Sequence, residues 1–306
     1  MIDRSVTNIT IPEGVTSVGN SAFTGCSNLT SVIITKGVTS INTCAFQGCK
    51  KLADIKIPDT VTSIGTYAFS GCNVLTNINI PDKITSIGGY AFNGCSSLLG
   101  IKIPEGVTEI GGYTFQSCSS LESIIMPEEV INIGAYAFNG CSNLKNITIP
   151  NGITSIRSYT FNNCRSLESV TIPEGVTIIG GNAFNGCSSL KSVIMQEGVT
   201  SIDNCAFQYC SKLASIKLPS SVASIGNYAF QGCGELTALI LLCNTVVSLN
   251  NAKALADTPI LRSKGYIYVQ ANLLEDYKTA TNWVTYADQL RAIEDYPDIC
   301  GGNSNA

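Results

Sequence analysis

Ten phenylalanines, Phe23, Phe46, Phe69, Phe92, Phe115, Phe138, Phe161, Phe184, Phe207 and Phe230, follow one another at an unvarying spacing of 23 residues. Each is followed three residues later by a cysteine, from Cys26 and Cys49 to Cys210 and Cys233, and three further on by a leucine, from Leu29 to Leu236. A period of this size, unbroken by insertions, specifies a stack of like coils, each too small to bury its own apolar face and dependent on its neighbours for a core. The repeat runs from about Ile9 to about Leu241. We therefore expect a repeat solenoid over residues 1–243, a degenerate last coil and cap over 244–296, and a mobile tail over 297–306.

The stretch Ile80–Pro104, IPDKITSIGGYAFNGCSSLLGIKIP, shows one lap. Ile78-Asn-Ile80 alternates with period two and stops at Pro81, which has no N–H for a ladder, so it reads as a short strand. Ile84-Thr-Ser-Ile87 reads as a second extended piece, and Gly88-Gly89 as a corner. Ala91, Phe92, Cys95 and Leu98 recur at spacings of three and four, which predicts a short helical or 3₁₀ turn carrying Phe92 inward. After Leu241 the repeat fades. Gly265-Tyr-Ile-Tyr-Val269 reads as a strand, and Asn272 to Ala280 and Trp283 to Ile293 read as helical.

Hydrophobic residues make up 44% of the chain and charged ones only 13%, with a net charge of −4 and no basic run. This argues against a nucleic-acid partner, which requires clustered Lys and Arg. The most apolar run, Leu236 to Leu249, is too short to span a bilayer and carries Asn244, so no membrane insertion is expected. Met1-Ile-Asp-Arg4 does not resemble a signal peptide. No polar helix precedes Val6-Thr-Asn-Ile9 to cover the first coil, so the chain reads as a fragment of a longer product. There is no histidine, hence no imidazole base or ligand. Glu128-Glu129 and Asp54 are isolated carboxylates and no Gly-rich phosphate loop is present, so no enzymatic activity and no cofactor are expected.

Three rows invite chemistry. One cysteine per coil, without a second Cys two or three positions away, does not make a metal site. Stacked equivalent cysteines also point in parallel, which suits a disulfide poorly, so the row is expected to be reduced and buried. Cys44, Cys205, Cys243 and Cys300 stand outside that row, and their redox state is open. Tyr67, Tyr90, Tyr113, Tyr136, Tyr159 and Tyr228 form an aromatic stripe two residues before the Phe, which shields the coil turn or stacks against a carbohydrate or protein. Thr16, Thr39, Thr62, Thr85, Thr108, Thr154, Thr177 and Thr200 form a hydroxyl row. Ordered water on such a row would make an ice-binding face, whereas the simpler role is strand formation.

The pattern Leu75-x-x-Ile78-x-Ile80 followed by Ile84, Ile87 and Phe92 is similar to the leucine-rich repeat, and IPxxVTxIGxxAFxGCxxL resembles its BspA-like subclass. The segment YVQANLLEDYKTATNWVTYADQL resembles the ending of such proteins. The position before Val or Ile carries Gly14, Gly37, Lys83, Gly106 or Glu129, so the asparagine ladder of the commoner repeat is missing, and Thr hydroxyls and Pro are expected to hold the turn instead. The resemblance implies a right-handed, β-rich superhelix of short strands and 3₁₀ turns with a small α/β cap. It also implies exposure on a cell surface and contact with proteins or glycans of a host or neighbouring cell.

In leucine-rich repeats the side chains flanking the inward residue of the first strand line the concave face. Here those are Lys56, Asn77, Asn79, Lys102, Ile125, Thr148, Thr171, Ile194 and Lys217, a row mixing charge, amide, hydroxyl and isoleucine while the inward positions repeat monotonously. No Trp, Tyr or Arg cluster marks a hot spot on it. The expected function is a binding or adhesion module. The alternative is a structural spacer or self-assembling rod, docking end to end through its uncapped first coil.

Overall fold

The computed structural model describes residues 5–301. The chain forms two compact units, one of residues 1–153 with 160–167 and the other of residues 154–159 with 168–306. Each is a stack of coils joined by parallel pairing of short strands.

In the first unit, strands Asn8–Ile11, Ser31–Ile34 and Asp54–Lys56 form one parallel sheet, and Gly100–Lys102 pairs with Ser123–Ile125. The register advances by one repeat at each step, Ser31 opposite Asp54 and Ile33 opposite Lys56. A second row of two-residue strands, Ser17–Val18, Ser40–Ile41, Ser63–Ile64 and Ser86–Ile87, runs along another side. Ile78–Ile80, expected as a strand, forms none, nor does the equivalent stretch around Ile147.

Between the strands of each coil the sequence turns into the core. The residues around Phe92 do not form the expected 3₁₀ turn. They form successive tight turns closed by the N–H of Ala91 on the Gly88 carbonyl, Asn93 on Tyr90, Cys95 on Phe92 and Leu98 on Cys95. Two left-handed residues in that stretch, Tyr90 at φ 60° and Gly94 at φ 71°, prevent any continuous helix. The turns deliver Phe92, Cys95 and Leu98 to full burial.

The phenylalanine rings stack face to face. Phe92 lies 5.5 Å from both Phe69 and Phe92's successor Phe115, and Phe115 lies 5.6 Å from Phe138, with planes within 8° of parallel. In the second unit Phe184, Phe207 and Phe230 continue the same arrangement at 5.3 and 5.6 Å. Pro opens the turn at the end of the first strand, where its carbonyl accepts the N–H of the residue three on, as Pro81 does from Ile84 and Pro104 from Val107. Hydroxyls support that turn as expected: Thr60 donates to the Val38 carbonyl at 2.7 Å and Ser221 to that of Val199 at 2.8 Å.

The second unit carries the cap. Ser215–Leu218, Ala238–Leu241, Tyr266–Val269 and Leu290–Ala292 form a four-stranded parallel sheet. Leu290–Ala292 is a strand although spacing predicts helix there. Leu290 sits opposite Ile267 in the ladder, so pairing with the preceding coil overrides the local pattern. The helix Leu274–Thr279 and the 3₁₀ segment Trp283–Gln289 bring Tyr277, Trp283 and Tyr286 over the last small strand, Ser248–Leu249. All three rings are buried and hydrogen-bonded to that coil's backbone. Trp283 Nε1 donates to the Val247 carbonyl at 2.7 Å, the Val247 N–H donates to the Tyr277 hydroxyl at 3.0 Å, and Tyr286 donates to the Ala252 carbonyl. Backbone groups that would face open solvent at the last coil are thus partnered. Pro297–Gly301, expected within the tail, is a short helix, while 302–306 lie outside the described residues.

Candidate functional site

The interior rows are structural, and the geometry shows how. Along the buried row, thiols donate to the carbonyl of the Phe in the preceding coil: Cys118 to Phe92 at 3.1 Å, Cys141 to Phe115 at 3.1 Å, Cys210 to Phe184 at 3.2 Å. That carbonyl also accepts the N–H of its own coil's Cys, as Phe92 does from Cys95. Cysteine is therefore a small apolar residue with one useful donor. Burial pushes the thiols upward, to about 12 for Cys49, Cys95 and Cys233, and to about 11 for Cys243. No disulfide joins the cysteines whose side chains are described. Cys44 and Cys205 are half-buried, Cys243 is buried, and the Cys300 side chain lies outside the described residues.

The tyrosine stripe occupies a left-handed backbone position in every coil that carries it, with φ between 57° and 61°. Tyr67, Tyr90, Tyr113 and Tyr136 stack at 4.4 to 4.5 Å between ring centroids. Tyr90 and Tyr113, stacked on both faces, therefore shield the coil corner and are closed to a stacking sugar. The threonine row is similarly occupied. Thr39 donates its hydroxyl to Thr16 O at 3.1 Å, Thr62 to Thr39 O at 3.2 Å and Thr200 to Thr177 O at 3.1 Å. Donors turned back onto the backbone leave a poor template for ordered water.

An amide ladder is present after all, at a place the pattern did not suggest. It stands one residue after the Phe, where Asn93 donates to Gln116 at 2.8 Å, Asn185 to Gln208 at 2.8 Å and Gln208 to Gln231 at 2.6 Å. The sequence signal was available, because Gln or Asn fills that position in eight of the ten coils from Gln47 to Gln231. Acidic residues add further cross-coil caps at the Pro turn. Glu197 accepts from the Ser220 N–H at 3.2 Å, the Ser220 hydroxyl at 3.0 Å and the Ser221 N–H at 3.3 Å. Desolvation opposes ionisation there, but these hydrogen bonds outweigh it and hold the carboxyl below its usual range.

The outward side of the first-strand row carries the residues expected to meet a partner. Lys56, Asn77, Asn79, Lys102, Ile125, Thr148, Thr171, Ile194 and Lys217 are all exposed. Within the first unit Lys102 and Ile125 are direct cross-strand partners, as are Ile33 and Lys56. Asn77, Asn79 and Thr148 lie in the two stretches without a ladder. Within the second unit Thr171 faces Ile194, and Lys217 faces Ile240.

At the cap the strand row carries an aromatic and arginine cluster. Tyr266 and Tyr268 continue the outward positions of Ala238 and Ile240 across the ladder, and Arg291 follows Tyr268. The Arg291 guanidinium lies 4.3 Å from the Tyr266 ring centre, and Tyr296 meets Tyr268 edge-on at 5.3 Å. Sequence spacing concealed the cluster because Leu239 and Ile267 are partners at 28 residues instead of 23.

Among the described residues, no helix is long and apolar enough to cross a membrane. No curated protein matches the sequence. Among solved structures, the chain is similar to a leucine-rich repeat protein from Bacteroides ovatus, at 29% identity and a TM-score of 0.61 over 94% of this chain and 84% of that one. It is also similar to a leucine rich cell surface protein from Faecalibacterium prausnitzii, at 25% identity and a TM-score of 0.50 over 92% of this chain and 90% of that one. The family model for the BspA type leucine rich repeat region matches residues 2–122 and 108–237. With that match over most of its length and a solenoid of parallel strands beneath it, the chain belongs to the BspA-type leucine-rich repeat family.

Proposed function

We propose that this protein is a non-enzymatic binding module of a cell-surface protein, engaging a protein or glycan of a host or neighbouring cell through the outward side of its first-strand row. The observation that carries the reading is a contrast within each coil. Inward positions repeat Ile, Val, Phe, Cys and Leu at full burial, while the outward positions from Lys56 to Lys217 are exposed and differ in chemistry from coil to coil. Packing sets the first group, and nothing in the packing requires the variety of the second. The likeness to a protein described as a cell surface protein supports the extracellular part of the reading.

The test is a binding screen of the folded chain against extracellular-matrix proteins, host-surface proteins and a glycan array. The Lys102→Glu, Ile125→Ser double variant serves as the control. Saturable binding that the double variant loses, with its melting curve unchanged, is the expected result. Absence of binding across all panels would overturn the reading in favour of a structural spacer.

A further inference from the structure

Isoleucine meets lysine across adjacent first strands three times: Ile33 with Lys56, Ile125 with Lys102, and Ile240 with Lys217. Ile33 is 47% exposed and Ile125 62%, yet Ile240, at the equivalent strand position, is 5% exposed. Tyr268 on the next strand, Leu242 and an occupant from the chain's own C-terminal segment account for the difference. Ile293 and Ile299 of the chain's own C-terminal segment pack onto the floor formed by Ala238, Ile240 and Tyr268, and Tyr296 stands edge-on to Tyr268 between them in sequence.

The occupant has a defined chemistry. Ile293, Tyr296 and Ile299 recur every third residue along a 3₁₀ turn, Ile293–Asp295, and the short helix Pro297–Gly301. Glu294, Asp295 and Asp298 fill the positions between. Glu294 anchors the segment's start by accepting the Ala271 N–H at 3.0 and 3.2 Å, and the floor it crosses is flanked by Lys217 and Arg291. Ile293 and Ile299 thus pack against Ala238, Ile240 and Tyr268, on a segment that carries three carboxylates and beside strands that carry Lys217 and Arg291.

We propose that the Ile33/Lys56 and Lys102/Ile125 pairs are open recognition elements of the same kind, each taking an acidic protein segment with apolar anchors three residues apart. The proposal rests on the outward row being the binding face and specifies its partner's chemistry. Isoleucine supplies the surface that an anchor removes from water. Lysine selects acidic flanks and makes the association sensitive to salt.

The experiment is a fluorescence-anisotropy titration of the full-length chain into a labelled peptide of residues 291–299, RAIEDYPDI, with a second peptide in which the three acidic residues are lysine. The expected result is saturable binding of the acidic peptide, weakened roughly tenfold or more both by high salt and by Lys56→Glu with Lys102→Glu. Ile33→Ser with Ile125→Ser should weaken it comparably, and the basic peptide should not bind. All substituted side chains are exposed, so circular dichroism should show each variant folded. No saturable binding, equal binding of both peptides, or binding indifferent to all four substitutions would overturn the proposal. If the peptide fails while a partner from the extracellular panel is still lost in Lys102→Glu, Ile125→Ser, the binding-face reading survives and this one falls.

Discussion

Substitutions at Tyr113 separate two things that its position combines. The ring stacks on Tyr90 at 4.4 Å and on Tyr136 at 4.5 Å, and the backbone beneath it is left-handed at φ 61°. Tyr113→Ala removes both stacking contacts, each contributing ~0.5–1.5 kcal/mol. It leaves a β-carbon in a conformation that costs about 1–2 kcal/mol for any L residue. Tyr113→Gly removes the same ring and also that strain, against a penalty of about 0.5–1 kcal/mol for the freer unfolded chain. Working these through, Ala should destabilise by ~1–3 kcal/mol, and Gly by about 0–1.5 kcal/mol less than Ala. This ordering is the reverse of that expected at an ordinary strand or turn position. Urea unfolding followed by circular dichroism, with equal slopes for the three proteins, measures both differences. If Gly proves less stable than Ala, position 113 is not left-handed and the account of the coil corner is wrong.

Other substitutions test the core and its ionisable groups. Phe115→Ala removes a fully buried ring stacked between Phe92 and Phe138 and should cost ~3–5 kcal/mol through lost burial and the cavity left behind; an unchanged urea midpoint would place Phe115 outside the column. The buried thiols have pKa values raised above the ordinary 9.0, so their contribution is complete below pH 9 and is lost as pH rises toward about 12, where the unfolded chain has already released its protons. Stability should therefore decline as pH rises above 9, with Cys49, Cys95 and Cys233 each contributing to the decline. Cys95→Ala should make that decline shallower, and a pH-independent midpoint between 9 and 11 would refute it. In native protein at pH 8 an alkylating reagent should modify Cys44 and Cys205 before any Cys of the buried row, as peptide mass mapping would show. Glu197 has a lowered pKa, so its stabilisation is present above the unfolded carboxylate range and fades as pH falls through the folded value. Glu197→Gln should accordingly reduce the acid sensitivity of the melting temperature.

The repeat made the stack, its inward residues and its outward row legible, because each depends on periodicity alone. What it concealed depends on contacts between coils. Gly88-Gly89 reads as a corner, but the reason for Gly88 is that a β-carbon there would lie 2.4 Å from the Thr66 backbone nitrogen of the preceding coil. The spacing of Ala91, Phe92, Cys95 and Leu98 suits a 3₁₀ turn equally well, and only the left-handed Tyr90 and Gly94 decide against it. Leu290–Ala292 looks helical by local pattern and becomes a strand because Ile267 lies beside it. The aromatic and arginine cluster at the cap was hidden for the same reason, since the fading repeat no longer indicates which residues are neighbours.

The left-handed position also explains how one slot accepts Tyr, Ser, Cys and Asn. Ser21, Cys44, Asn182 and Cys205 hold it at φ 55° to 58° without an aromatic ring, so stacking cannot be what creates the conformation. The backbone creates it. Ser21, Cys44 and Asn182 each donate their N–H to the next coil, to Thr43, Thr66 and Asn204, just as Tyr90 does to Gly112 and Tyr113 to Ala135. Each coil is therefore held in the strained corner by its neighbour, at a cost per corner of about 1–2 kcal/mol that no coil could sustain alone. Coupling of this kind makes unfolding of a unit cooperative along the stack, and it frees the side chain at the corner and on the outward row to vary without altering the fold.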